Sequence, residues 1–129
     1  MPTADEYRAA AELREALRRF ARESERVCRA SGLTPQRYQL LLMIKASGGT
    51  ATVTSLVESL QLGQSGVTQL VQRAETLGLL ERRAVRGDAR SQRLTLSRKG
   101  DRLLERAFTA LGPERERLAA TLAAVMPAG

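Results

Sequence analysis

The sequence predicts a mainly α-helical fold carrying one small β-hairpin. Three observations lead there. Apolar residues recur at intervals of three and four along most of the chain, which is the period of a helix with one buried face. That period gives way to strand-like alternation only between residues 80 and 96. Aromatic residues make up 3% of the 129 residues, so Leu, Val, Ile and Ala must fill the interior. Such a composition suits helix-on-helix packing.

Residues 4–30 read as one long helix, with Leu13, Leu17, Phe20, Ser24 and Val27 in a stripe and Arg and Glu opposite. A stripe so narrow on a segment so long needs a partner surface, either the rest of the domain or a second subunit. Ser31-Gly32 ends it. Thr34-Pro35 opens the next helix as an N-cap followed by proline at the first helical position. Tyr38, Leu41, Leu42 and Ile44 make that helix the central one, and Ser47-Gly48-Gly49 stops it.

Two short helices follow. Thr52 caps the first, whose apolar residues are Leu56, Val57 and Leu60. The second begins near Gln64, carries Val67, Leu70, Val71 and Leu77, and closes at Gly78, where a C-cap glycine belongs. Leu80–Val85 and Gln92–Leu96 then alternate as strands, with residues 86–91 as the loop between them. Ser97 caps a helix bearing Leu103, Leu104, Ala107, Phe108 and Leu111. Gly112-Pro113 breaks it, and a last helix carries Leu118, Leu122, Val125 and Met126.

Two short helices joined by a tight turn and followed at once by a hairpin make a winged helix-turn-helix. The chain is read as a single domain, residues 1–129, with this lobe at about 34–100 and flanking helices at about 4–30 and 113–126. The second short helix keeps its apolar residues on one side, so Gln64, Ser65, Thr68 and Gln69 are expected on the other. Their hydrogen-bonding side chains suit base edges in a major groove. Arg73, a turn further on, is expected at a phosphate.

Charge supports the same reading. Twenty-one basic residues, all arginine except Lys45 and Lys99, stand against 14 acidic ones, giving +7 with no histidine to titrate. Between Leu79 and Gly100, seven basic residues (Arg82, Arg83, Arg86, Arg90, Arg93, Arg98 and Lys99) meet only Glu81 and Asp88, so the hairpin and its flanks hold +5 of that total. Solvating charge would spread more evenly; concentration beside such a helix points to phosphate neutralisation. Arg86 is accordingly expected at a phosphate, and of the strand neighbours Arg82 and Arg83 at most one faces DNA.

Other classes are disfavoured. With no histidine, a lone Cys28 without a base partner, no Gly-rich phosphate loop and no acidic pair, neither catalysis nor a metal or cofactor site is expected. Met1–Glu6 lacks the start of a secretory leader, and the longest apolar run, Leu40–Ile44, is too short for a bilayer. A soluble cytoplasmic protein with no membrane partner is expected. Arg14, Arg18, Arg19 and Arg22 could make the first helix a basic membrane-surface helix, but Glu12, Glu15, Glu23 and Glu25 interrupt that field.

The run from Leu62-Gly63-Gln64-Ser65-Gly66-Val67-Thr68-Gln69-Leu70-Val71 to Leu77-Gly78-Leu79-Leu80-Glu81-Arg82 resembles the MarR (multiple-antibiotic-resistance regulator) family. So does Gly87-Asp88-Ala89-Arg90-Ser91 followed by Leu94-Thr95-Leu96-Ser97 and Gly100. The resemblance covers nearly the whole chain. It implies a homodimer built from the first and last helices, with the helix from Gln64 to Leu77 in a major groove of double-stranded DNA. It also implies that Arg90, at the wing tip, enters the adjacent minor groove while Asp88 braces the wing by pairing with an arginine. Members are commonly repressors, and many release DNA when a small phenolic or anionic effector binds between dimer region and lobe. Two-fold symmetry then predicts half-sites about one helical turn, ~34 Å, apart.

Some readings stay open on the sequence alone. Gly66 either allows close approach to a phosphate or base, or is a tolerated defect costing roughly 1 kcal/mol. Cys28 is either an oxidant sensor, its thiol assisted by Arg26 and Arg29, or a structural thiol. Tyr38 either lines a ligand pocket or belongs to the core. The competing function is a winged-helix module that binds protein, which the clustered wing arginines argue against.

Overall fold

The computed structural model describes residues 1–85 and 87–126, and of residues 88–91 the backbone alone. The elements follow the expected order: α1 (Ala4–Ala30), α2 (Pro35–Ala46), α3 (Val53–Leu60), α4 (Gln64–Thr76), β1 (Leu80–Val85), β2 (Asp88–Leu96), α5 (Arg98–Ala110) and α6 (Gly112–Val125). Among the described residues no helix is long and apolar enough to cross a membrane.

Local chemistry sets most of these boundaries. Thr34 accepts from the Arg37 N–H with Pro35 following, Thr52 forms a capping box with Ser55, and Ser97 accepts from the Gly100 N–H. Thr3 and Glu6 form a second capping box at the start of α1. Gly78, at φ +74°, takes the left-handed position just past α4 that a side chain would disfavour. Gly112-Pro113 does not leave a long gap: α6 restarts one residue beyond α5, with proline in its first turn.

Leu40, Leu41 and Ile44 of α2, Leu56 of α3, Val67 and Val71 of α4 and Leu94 of β2 lie within 2% of full burial, with α2 at the centre. Each such side chain contributes roughly 1.5–3 kcal/mol of transfer free energy. The Leu94 N–H also donates to the Ala51 carbonyl at 2.8 Å, fastening the hairpin to the segment that leads into α3. Tyr38 is 9% exposed and belongs to this core, which decides between its two readings.

The first and last helices pack along each other within one chain. On α1 the buried residues are Ala16 and Cys28; Leu13, Phe20, Ser24 and Val27 are half-buried, and Leu17 is exposed. Phe108, placed in the apolar set of α5, is also largely exposed, and the Arg115 guanidinium lies 3.8 Å from its ring centroid.

The hairpin departs from expectation. The second strand begins at Asp88 rather than Gln92, so the connection is two residues, not six. Gly87, at φ +87°, supplies the left-handed conformation that reverses the chain in so short a space. The extra residues are absorbed by an irregular register: Ala84 faces Gln92 while Val85 faces Asp88. Arg90 therefore belongs to the second strand, just past the turn, and not to the loop in which the sequence placed it.

Candidate nucleic-acid interface

Helix α4 is anchored by Val67, Val71 and Ala74, all fully buried. Gly63 starts it in extended conformation without a side-chain cap, leaving its first N–H groups uncommitted to a cap side chain. On the solvent side Gln64, Ser65, Gln69 and Arg73 are exposed, as the sequence led us to expect, whereas Thr68 is half-buried. Gln72 is exposed too and was missed; its spacing of three from Gln69 and seven from Ser65 places it on the same face.

The wing is held against this helix by side-chain chemistry that periodicity does not reveal. Arg82 Nε donates to Glu75 Oε1 at 2.8 Å, and Arg82 Nη1 reaches Gln92 Oε1 at 3.4 Å. Arg82 is thus turned toward α4. Its neighbour Arg83 is exposed, directly across the ladder from the exposed Arg93. Two like charges opposite one another destabilise a hairpin by themselves, and a bound anion relieves the repulsion. Neither arginine makes an ion pair among the described residues. Arg86 lies outside the described residues, and so do the side chains of Asp88 and Arg90.

A second clasp joins α4 to α5. Ser97 Oγ donates to the Gly78 carbonyl at 2.6 Å, Lys99 Nζ donates to the Leu77 carbonyl at 3.0 Å, and the Ser97 N–H donates to the Leu79 carbonyl at 3.0 Å. A Cβ on Gly100 would run into that same Leu79 oxygen. The segment between α4 and β1 is therefore in direct backbone contact with the start of α5.

Cys28 is 1% exposed, and burial pushes its thiol above the ordinary range, because the apolar surroundings penalise the thiolate. A sensor cysteine needs access and a stabilised thiolate. Arg29, offered by the sequence as an activator, is instead paired with Glu25 at 3.1 Å, and Arg26 with Glu23 at 2.8 Å. These features favour the structural thiol.

Comparison with known proteins fits this geometry. Residues 31–91 match the model of the MarR family. The transcriptional regulator Tm0710 from Thermotoga maritima is 30% identical, with 85% of this chain aligned to 77% of that one at a TM-score of 0.65. The transcriptional regulator MOSR of M. tuberculosis, solved in complex with DNA, is 25% identical over 83% of this chain and 77% of its own, with a TM-score of 0.66. AbsC, a MarR family transcriptional regulator from Streptomyces coelicolor, is 20% identical and shares the fold over 95% of this chain and 83% of its own, at a TM-score of 0.78. No curated protein sequence matches. The helix-turn-helix, the wing braced against it and these similarities together make the chain a member of the MarR family of winged helix proteins.

Proposed function

We propose that this protein is a transcriptional regulator that binds double-stranded DNA sequence-specifically as a homodimer, with α4 in the major groove and the wing alongside. The observation that carries the reading is the polar face of α4. Gln64, Ser65, Gln69 and Arg73 stand exposed on a helix whose opposite side is fully buried, next to a wing that presents Arg83 and Arg93 together. Rigid placement of hydrogen-bonding side chains beside phosphate-neutralising arginines is what direct readout requires. The complex of the M. tuberculosis regulator with DNA supports the same reading. Thr68 is assigned to the rim of this face, and Arg86 and Arg90 to the nucleic-acid backbone and minor groove. Asp88 is assigned to the bracing of the wing.

The dimer is assigned to α1 and α6. Tyr7 and Leu17 on α1 and Met126 after α6 are large apolar side chains left 45–66% exposed, as residues awaiting a second copy would be. Repression by promoter occlusion follows from such a mode of binding in the cytoplasm. A cleft of about 430 Å³ between α2 and α5, lined by Leu42, Leu104, Phe108 and the Lys45–Asp101 ion pair, is of a size that accepts a small phenolic or anionic effector.

Binding of the purified protein to its own upstream DNA and to a random duplex, across a salt series and with Arg90→Ala alongside, tests this function. The regulator reading expects strongly salt-dependent binding that prefers the upstream DNA and weakens in the variant. Equal, weak and salt-insensitive binding to both duplexes would instead indicate a winged-helix module for a protein partner.

A further inference from the structure

The cleft of about 430 Å³ between α2 and α5 has the size of an effector site, and its charges say which kind of effector it suits. We propose that it binds a small apolar amine, with the ammonium group received by Glu105 and Asp101 and the hydrocarbon body against Leu42, Leu104 and Phe108; the proposal rests on the effector reading of this cleft.

Three charged side chains line the cleft: Lys45 of α2, and Asp101 and Glu105 of α5. Lys45 Nζ donates to Asp101 Oδ1 at 2.8 Å. Glu105 has no ion-pair partner among the described residues. The lining therefore carries one net negative charge. An anion entering it meets two carboxylates and a lysine that is already engaged. A cation meets one free carboxylate and competes with Lys45 for the other. Asp101 and Glu105 stand four residues apart on one helix, so they share a face, and like charges at that spacing repel. A cation between them relieves the repulsion. Lys45 is able to yield its place, because the side chains of the pair are 60% and 44% exposed, and a pair so open to water is weak.

The rest of the lining is apolar. Leu104 is buried and Leu42 half-buried, so the core holds them in place, whereas the Phe108 ring is largely exposed at the wall. The Arg115 guanidinium packs on that ring, 3.8 Å from its centroid, without lining the cleft. Size alone also admits a phenolic or anionic compound. Charge favours the amine.

Asp101 links the cleft to the helix that faces DNA. It follows Gly100, whose backbone rests on the Leu79 carbonyl. It also lies in the turn whose Ser97 and Lys99 bond to the Gly78 and Leu77 carbonyls just beyond α4. An ammonium that draws Asp101 from Lys45 acts on the turn that clasps the end of α4.

The test uses the full-length protein, labelled with nitrogen-15, and three probes that share one body: 2-phenylethylamine, 2-phenylethanol and 3-phenylpropionate, at neutral pH and fixed ionic strength. Amide shifts at 42–45 and 101–108 locate the site and give each affinity. The amine should bind tighter than the alcohol by roughly fivefold, the factor one accessible ion pair supplies, and the carboxylate should bind weakest. Glu105→Gln should remove the advantage of the amine and leave the alcohol where it was; Glu105→Asp should restore part of it. Thermal midpoints near that of the wild type confirm that both variants are folded. Bound amine should also lower affinity for the upstream duplex. Equal affinities for amine and alcohol, or a preference for the carboxylate, would overturn the amine site while leaving the cleft to another effector. Amine binding at these residues with DNA affinity unchanged would confirm the site and overturn the effector reading. Shifts that follow protein concentration while no probe binds would give the cleft to a second copy of the chain and overturn both.

Discussion

Arg82 and Glu75 form an ion pair at 2.8 Å that joins the first strand of the wing to the last turn of α4, with side chains 27% and 32% exposed. The pair ties together the two elements to which the proposed mode of binding assigns the DNA contacts. Gln92, across the ladder from Ala84, adds a longer contact to the same guanidinium.

A double-mutant cycle on Glu75→Gln and Arg82→Gln should give a coupling of about 1 kcal/mol in unfolding free energy, the upper end for a pair this accessible. Each single variant should also bind DNA more weakly than its stability loss explains, since the wing is then free to swing from α4. Additive stabilities with unchanged DNA affinity would show that the pair does not orient the wing.

Gly100 sits so close to Leu79 that a side chain has nowhere to go: an added Cβ would clash with the Leu79 carbonyl, which is backbone and not a flexible tip. Gly100→Ala should therefore cost about 3 kcal/mol or more, because α5 must lift away from the end of α4. Ser97→Ala, which removes the helix cap and the bond to the Gly78 carbonyl, should cost about 1 kcal/mol. Urea unfolding measures both, and a Gly100→Ala protein as stable as wild type would contradict the close contact.

Burial raises the Cys28 thiol, so the unfolded chain ionises first as pH rises and binds fewer protons than the native one. The contribution is intact below about pH 8.5 and is lost progressively above it. Tyr38, raised by burial against the opposing charge of Arg115, adds a loss of the same sign above about pH 10. The urea midpoint should fall between pH 8 and 10 and fall less in Cys28→Ala. Native Cys28 should resist alkylation until denaturant is added; rapid labelling of the folded protein at neutral pH would return it to the role of a sensor.

Much of this fold is legible in the sequence because its boundaries are local. Thr34-Pro35, Thr52 and Ser97 act on backbone groups two or three residues away, so their effect can be read without tertiary structure. The polar face of α4 is legible for a similar reason, since Val67 and Val71 fix which side is buried. Register is different. The early start of β2 at Asp88 depends on how Ala84 and Val85 pair across the ladder, and alternation alone does not carry that information. The roles of Arg82 and Glu75 depend on which elements come together in space. A count of wing charge therefore treats Arg82 like Arg83, although one braces the wing and the other is exposed.

Whether α4 of a dimer reads duplex DNA can be decided by a hydroxyl-radical footprint of the protein on its own upstream DNA, repeated with Gln64→Ala and Gln69→Ala. Two protected patches related by a dyad are expected, their centres about 10 base pairs (~34 Å) or a multiple of that apart, and both should fade in the variants. A featureless pattern, or one that the variants leave unchanged, would contradict that mode of binding.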